Sequence, residues 1–198
     1  MIAAMTRLLM LIFTASLAEN AVFGRALVTR RMLFLKKREE VLTFSAVITL
    51  MMAVTGLIGY FLDRFLFYPY GISIYLRSAA YVVLLGAEYL ILTVVLSKKS
   101  SRWYQIVKSI LLLASYNVAV LGTVLYCSYH RYGLPERFCY FIGTGLGVML
   151  ALELIEVGSQ NIAMSKVPRA FRGLPILLIY IGILSLALYG LLGHPLIG

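Results

Sequence analysis

The stretch ENAVFG, residues 19–24, places a carboxylate and an amide inside an apolar run that otherwise reads as a membrane-spanning helix. A second stretch, YNVAVLG at residues 116–122, does the same about half a chain later. A polar side chain in the middle of a span is expensive, so it is kept where it satisfies backbone groups or lines a site. Asn20 with Gly24, and Asn117 with Gly122, therefore predict two helix breaks at matching places. Asn can satisfy freed backbone groups, and Gly permits the break.

The surrounding composition sets the solvent. The chain has 198 residues, 62% hydrophobic and only 13% charged, with a mean hydropathy of +0.93. Soluble domains carry about a quarter charged residues. Apolar stretches at roughly 7–29, 41–62, 74–96, 106–127, 138–157 and 174–193 each approach the length that crosses a bilayer as a helix. No alternating barrel pattern is present. The expected fold is an all-α integral membrane protein of six transmembrane helices, with helices 1 and 4 broken. It forms one domain over residues 1–198.

With three spans per half, span 1 enters from one side of the membrane and span 4 from the other. The halves, about 1–100 and 101–198, then read as inverted three-helix repeats, the arrangement in which broken first helices line a site between repeats. The alternative for each Asn is a simple hydrogen bond to a neighbouring helix; the paired occurrence favours the repeat. A secretory signal is the other reading of span 1, because Arg7, the run LLMLIFTA and the small residues ASLA imitate one. Cleavage after Ala18 would destroy the pairing, which argues against it.

The net charge of +10 gives orientation rather than a nucleic-acid partner. Arg25, Arg30, Arg31, Lys36, Lys37 and Arg38 follow or end span 1; Lys98, Lys99, Arg102 and Lys108 follow span 3; Lys166, Arg169 and Arg172 follow span 5. By the positive-inside rule these connections are cytoplasmic, so both termini are expected on the outer side of a bacterial-type plasma membrane. The tyrosines Tyr68, Tyr70, Tyr75, Tyr126, Tyr129 and Tyr132 cluster at the expected outer ends as an interfacial belt, with Trp103 marking the inner surface.

Three further intramembrane carboxylates draw attention. Glu88 in span 3 and Glu153 in span 5 read equally as a cation or proton pathway and as structural pairs. Glu156, on the same face as Glu153, can reach towards Lys166 or Arg169. Cys127 and Cys139 lie near facing helix ends; unpaired thiols are the preferred reading and a disulfide the alternative. No Cys/His ligand spacing, phosphate-cradling loop or catalytic constellation is visible. His130 and His194 read as solvated loop residues.

Taken together, ENAVFGRALV (19–28), IYLRSAAYVV (74–83), YNVAVLG, GTGLGVML (143–150) and VPRAFRGLPILLIYIGILSLAL (167–188) resemble the Rnf/Nqr family of six-span membrane subunits over nearly the whole length. The VPRAFRG segment makes the resemblance strongest to the A-type subunits of the Rnf complex, whose counterpart in the sodium-pumping quinone reductase is of the E type. That resemblance implies membership of a complex passing electrons between ferredoxin and NAD while moving sodium ions or protons. It also implies an E-type sister subunit of opposite topology, with a [2Fe-2S] cluster held between the broken helices by two cysteines from each subunit.

At the two places of the family's cysteines this chain has Arg30 and Val118, neither of which ligates iron. Cys127 lies about 13 Å further along a continuous helix than Val118, a poor substitute. The acidic residues the family carries near the end of span 3 and after span 5 fall at Leu92 and Gln160. The chain is thus expected to bind no cofactor by itself and to be a divergent, non-catalytic or partial subunit. A stand-alone inverted-repeat transporter of ions or small molecules, or a membrane scaffold, is the alternative.

Overall fold

The computed structural model describes residues 2–25, 38–97, 110–112, 114–164 and 166–192. Among them are six α-helices: α1 (Ile2–Phe13), α2 (Arg38–Leu62), α3 (Ile74–Ser97), α4 (Val118–Tyr129), α5 (Leu134–Met164) and α6 (Leu174–Leu192). Three helical stretches, Glu39–Phe67, Ile74–Ser97 and Leu134–Ile162, are long and apolar enough to cross a membrane. The apolar helices Met5–Ala18 and Val118–Tyr129 are shorter because each stops at one of the two asparagines.

Local sequence explains the ends. In α5 Pro135 occupies the first turn, where its missing N–H is not needed, and Glu136 reaches back to accept from the Gly133 amide at 2.9 Å. Helix α6 also begins with a first-turn proline, Pro175, after Gly173 has turned the chain at φ +84°. Helix α2 runs on into a π-helical turn, Asp63–Phe67, which carries Asp63 into the interior.

Pairwise contacts fix the helix directions. Along α1 and α5, Arg7 meets Glu136, Ile12 meets Gly143 and Ser16 meets Gly147, so these helices are parallel. Against α5, α2 is antiparallel, with Gly56 on Phe141 and Thr49 on Gly145. In turn α3 is antiparallel to α2, through Gly59 with Tyr81 and Thr55 with Glu88. Helix α4 follows the direction of α2, since Met51 meets Ser115 just before it and Asp63 meets Ser128 near its end. Finally α6 returns along α5, placing Tyr180 on Gly158 and the Leu154 carbonyl.

The core lies between α2, α4 and α5 and includes Phe44, Ile48, Met51, Val120, Phe141 and Val148. Outward, Leu50, Ile91, Val95 and Leu186 remain exposed, the surface expected of a bundle solvated by lipid. The all-α, multi-pass membrane class expected from hydropathy is what the structure has.

The belt reading holds for only part of its residues. Tyr70, Tyr75 and Tyr129 are exposed, whereas Tyr68 turns in to donate to the Ser128 carbonyl at 2.7 Å. Tyr126 and Tyr132 join an aromatic cluster with His130 and Tyr140. Cys127 and Cys139 are both free thiols. Arg30, Trp103 and His194 lie outside the described residues.

Candidate functional site

The first break is built around Asn20. A π-helical turn, Thr14–Ala18, ends α1, and its wider winding closes with the Glu19 amide donating to the Thr14 carbonyl at 2.7 Å. Asn20 is fully buried and uses both ends of its amide. Its Oδ1 accepts from the Val22 and Phe23 backbone N–H groups at 2.9 and 3.2 Å, donors that a continuing helix would have satisfied. Its Nδ2 donates to the Ser16 carbonyl at 2.8 Å and to the Gly147 carbonyl of α5 at 2.9 Å.

Gly24 suits the close turn that follows. Its amide donates to the Asn20 carbonyl at 2.8 Å, and a Cβ there would stand 3.0 Å from that oxygen. The glycines of GTGLG let α5 approach: a Cβ on Gly143 would meet the Ile12 carbonyl at 2.5 Å, and one on Gly147 the Ser16 carbonyl at 2.6 Å. From α6, Ser185 Oγ donates to the Phe23 carbonyl at 2.5 Å.

The second break has the same chemistry. Residues 110–112 and 114–115 are helical, Tyr116 is a turn, and Asn117 is the extended N-cap of α4 at φ −90°, ψ 132°. Asn117 Oδ1 accepts from the Ala119 amide at 2.8 Å, the counterpart of the Asn20–Val22 bond. Gly122 sits inside α4 and not at the break, because an N-capping Asn reopens a helix without a glycine. Val118 is the first residue of α4 and is 54% exposed, so this position faces away from the chain's own core.

Glu19 is paired. Arg25 Nη2 reaches it at 2.6 Å, Tyr126 donates to it at 2.8 Å, and Tyr140 at 2.5 Å. Arg25, counted in the sequence among the charges that end span 1, instead turns back beside the break. Nearby, in the α4–α5 connection, burial and the charge of Glu19 push the Tyr132 phenol above the ordinary tyrosine range.

The carboxylates of spans 3 and 5 do not meet. Glu88 is buried and accepts a short bond from Thr55 of α2, while its Oε1 has no hydrogen-bond partner. Glu153 lies on α5 in an open groove of about 440 Å³ with Leu146, Met149, Leu150, Leu154 and Val157. Glu156 accepts from Gln160 at 3.3 Å.

A cluster invisible in the sequence closes the other end of the bundle. Arg137 and Asp63, 1% and 0% exposed, pair at 2.5 Å. Asp63 also accepts from Tyr81 at 2.8 Å and Ser128 at 2.7 Å, and Arg137 Nε donates to the Tyr132 carbonyl at 3.0 Å. No sequence period links side chains this far apart; only the cost of a buried charge hinted that each needed a partner.

A family model for the Rnf-Nqr subunit, a membrane protein, matches residues 8–194. The chain belongs to the Rnf-Nqr family. Over 190 residues it is 27% identical to the A subunit of the Na(+)-translocating ferredoxin:NAD(+) oxidoreductase complex of Acetobacterium woodii, covering 96% of this chain and 98% of the relative. The A subunit of the ion-translocating oxidoreductase complex of Aliivibrio fischeri is 28% identical over the same coverage. That of Pseudoalteromonas atlantica is 29% identical over 157 residues, 79% of this chain and 81% of the relative. The match to A-type subunits agrees with the segments that carried the resemblance.

For this Rnf-Nqr chain the donor set can be tested against the [2Fe-2S] cluster the family implies. Val118 supplies no ligand atom at the second break. Cys127 is fully buried near the far end of α4, and Cys139 lies on α5. The residues present do not fit a cluster held by cysteine at this break.

Proposed function

We propose that this chain is an A-type-like integral subunit of a redox-driven, ion-translocating complex of the ferredoxin:NAD oxidoreductase type, and that it does not itself ligate the cluster. It pairs with an E-type sister subunit and further subunits of the complex in a plasma membrane, with both termini on the outer side. The chain is one domain of two inverted repeats, about 1–100 and 101–198. The ion-translocating oxidoreductase complexes to which the related A subunits belong support membership, and the alternating helix directions support the repeat.

The observation that carries the reading is the pair of breaks. Asn20 and Asn117 each accept the amide two residues on, at 2.9 and 2.8 Å, where a span stops and the chain reopens. The entries to the third spans of the two halves also match: Arg77 Nε donates to the Ile72 carbonyl and Arg172 Nε to the Val167 carbonyl, each at 2.9 Å. Arg137 repeats that bond at the start of α5, so it is support and not a signature. Glu88 and Glu153 are the residues proposed for the ion pathway, Glu88 because one of its oxygens is buried without a partner.

The second reading, a stand-alone inverted-repeat transporter or scaffold, is favoured by Val118 alone, since a redox role needs a ligand there. Affinity purification of the tagged chain from its native membrane decides between them. Recovery of a homologous sister subunit together with flavin- and iron–sulfur-bearing subunits is expected. Recovery of the chain by itself, with no redox subunit, refutes complex membership.

A further inference from the structure

Glu19, Tyr126 and Tyr140 form a cation cage, and the cation in it is the chain's own Arg25. The Arg25 guanidinium lies 3.9 Å from the centroid of the Tyr126 ring and 5.8 Å from that of Tyr140. The two rings stack at 5.2 Å with 17° between their planes. One terminal nitrogen, Nη2, donates both to Glu19 Oε2 and to the Tyr140 hydroxyl, each at 2.6 Å. The Tyr126 and Tyr140 hydroxyls hold the carboxylate from its other sides. His130 and Tyr132 extend the aromatic wall behind Tyr126.

The walls and the occupant belong to different kinds of structure. Tyr126 and Tyr140 project from α4 and α5, whereas Arg25 lies in the turn that follows the break and donates its amide to the Asn20 carbonyl at 3.1 Å. With side chains 22% and 32% exposed, Arg25 and Glu19 remain partly open to an exchanging species. A carboxylate, two phenols and a ring face are what a planar guanidinium recognises: hydrogen bonds at its edge and cation–π attraction over its face. A quaternary ammonium would gain only the second of these.

We propose that this cage is a binding site for guanidinium-type cations in which Arg25 is a tethered resident ligand, so that the span 1 break is held to α4 and α5 by a cation that a free guanidinium can replace once Arg25 is removed. The site stands on this chain alone and does not depend on membership of a complex.

The test removes the resident and supplies a replacement. The purified detergent-solubilised chain is compared as wild type, Arg25→Ala, and Arg25→Ala combined with Glu19→Gln, each with millimolar methylguanidinium chloride or sodium chloride at equal ionic strength. Methylguanidinium is expected to raise the melting temperature of Arg25→Ala saturably towards the wild-type value, and to leave the wild type and the double variant unmoved. An unshifted Arg25→Ala, or an equal shift in the double variant, overturns the proposal. If Arg25→Ala folds only when methylguanidinium is present during solubilisation, the cage is supported; failure to fold in either salt counts against it. Tyr126→Leu in the Arg25→Ala background should weaken the rescue, and an undiminished rescue also overturns the cage.

Discussion

Replacing Asn20 with Ala removes the side chain on which the first break depends. The amides of Val22 and Phe23, at 2% and 6% exposure, lose the acceptor they share. Each buried N–H left without a partner costs about 1–3 kcal/mol. The Ser16 and Gly147 carbonyls lose a donor too, but a carbonyl has two lone pairs and suffers less. For the two amides together the loss is about 4 kcal/mol, within a factor of two. Asn117→Ala removes an N-cap, a loss of about 1–2 kcal/mol from that bond. Equilibrium unfolding in mixed micelles, followed by helical circular dichroism, measures both against Leu50→Ala on the lipid-facing surface. Should Asn20→Ala fall within about 0.5 kcal/mol of that reference, the range of surface substitutions, the break does not depend on this side chain as described. Asn20→Asp keeps the two acceptor bonds but aims a carboxylate at two carbonyls, and is expected to be at least as damaging as Ala.

Other consequences follow from the same contacts. Asp63→Ala leaves the Arg137 guanidinium buried without its counter-charge and should cost about 3–5 kcal/mol, whereas joint replacement of both by apolar residues of similar volume should recover most of that loss in the same unfolding assay. Gly147→Ala puts a methyl group against the Ser16 carbonyl, so lower yield of folded protein and a melting temperature below that of a Gly190→Ala control are expected; Gly190 has open space around it. In reconstituted vesicles of the assembled complex, Glu88→Gln should depress ion flux; flux equal to wild type removes Glu88 from the pathway. A cysteine placed at the N-terminus of a Cys127→Ala/Cys139→Ala background should react with a membrane-impermeant maleimide added outside intact cells, and protection there contradicts the orientation.

Much of this was legible because bilayer burial makes polarity informative. Six apolar runs pointed to the helical class, and an Asn inside two of them marked where those helices stop. What remained hidden depended on where side chains point in three dimensions. Gly122 reads as a break-former by analogy with Gly24, yet lies within α4 because Asn117 caps the helix unaided. Arg25 reads as part of the basic connection after span 1. It instead returns to Glu19 because the amides of Gly24 and Arg25 both fold back onto the Asn20 carbonyl. Asp63 and Arg137 stand 74 residues apart in the sequence. Their pairing needs α2 and α5 to run antiparallel in contact, which no local pattern encodes.

Paired helix breaks without cluster ligands distinguish the proposed role from that of an electron carrier. Iron content and the visible and electron paramagnetic resonance spectra of the complex purified through this chain decide between the two, taken for wild type, Cys127→Ala and Cys139→Ala. Co-purification with a sister subunit is expected, together with an iron–sulfur signal that is the same in all three preparations. A [2Fe-2S] signal stoichiometric with this chain and lost in Cys127→Ala or Cys139→Ala contradicts that role.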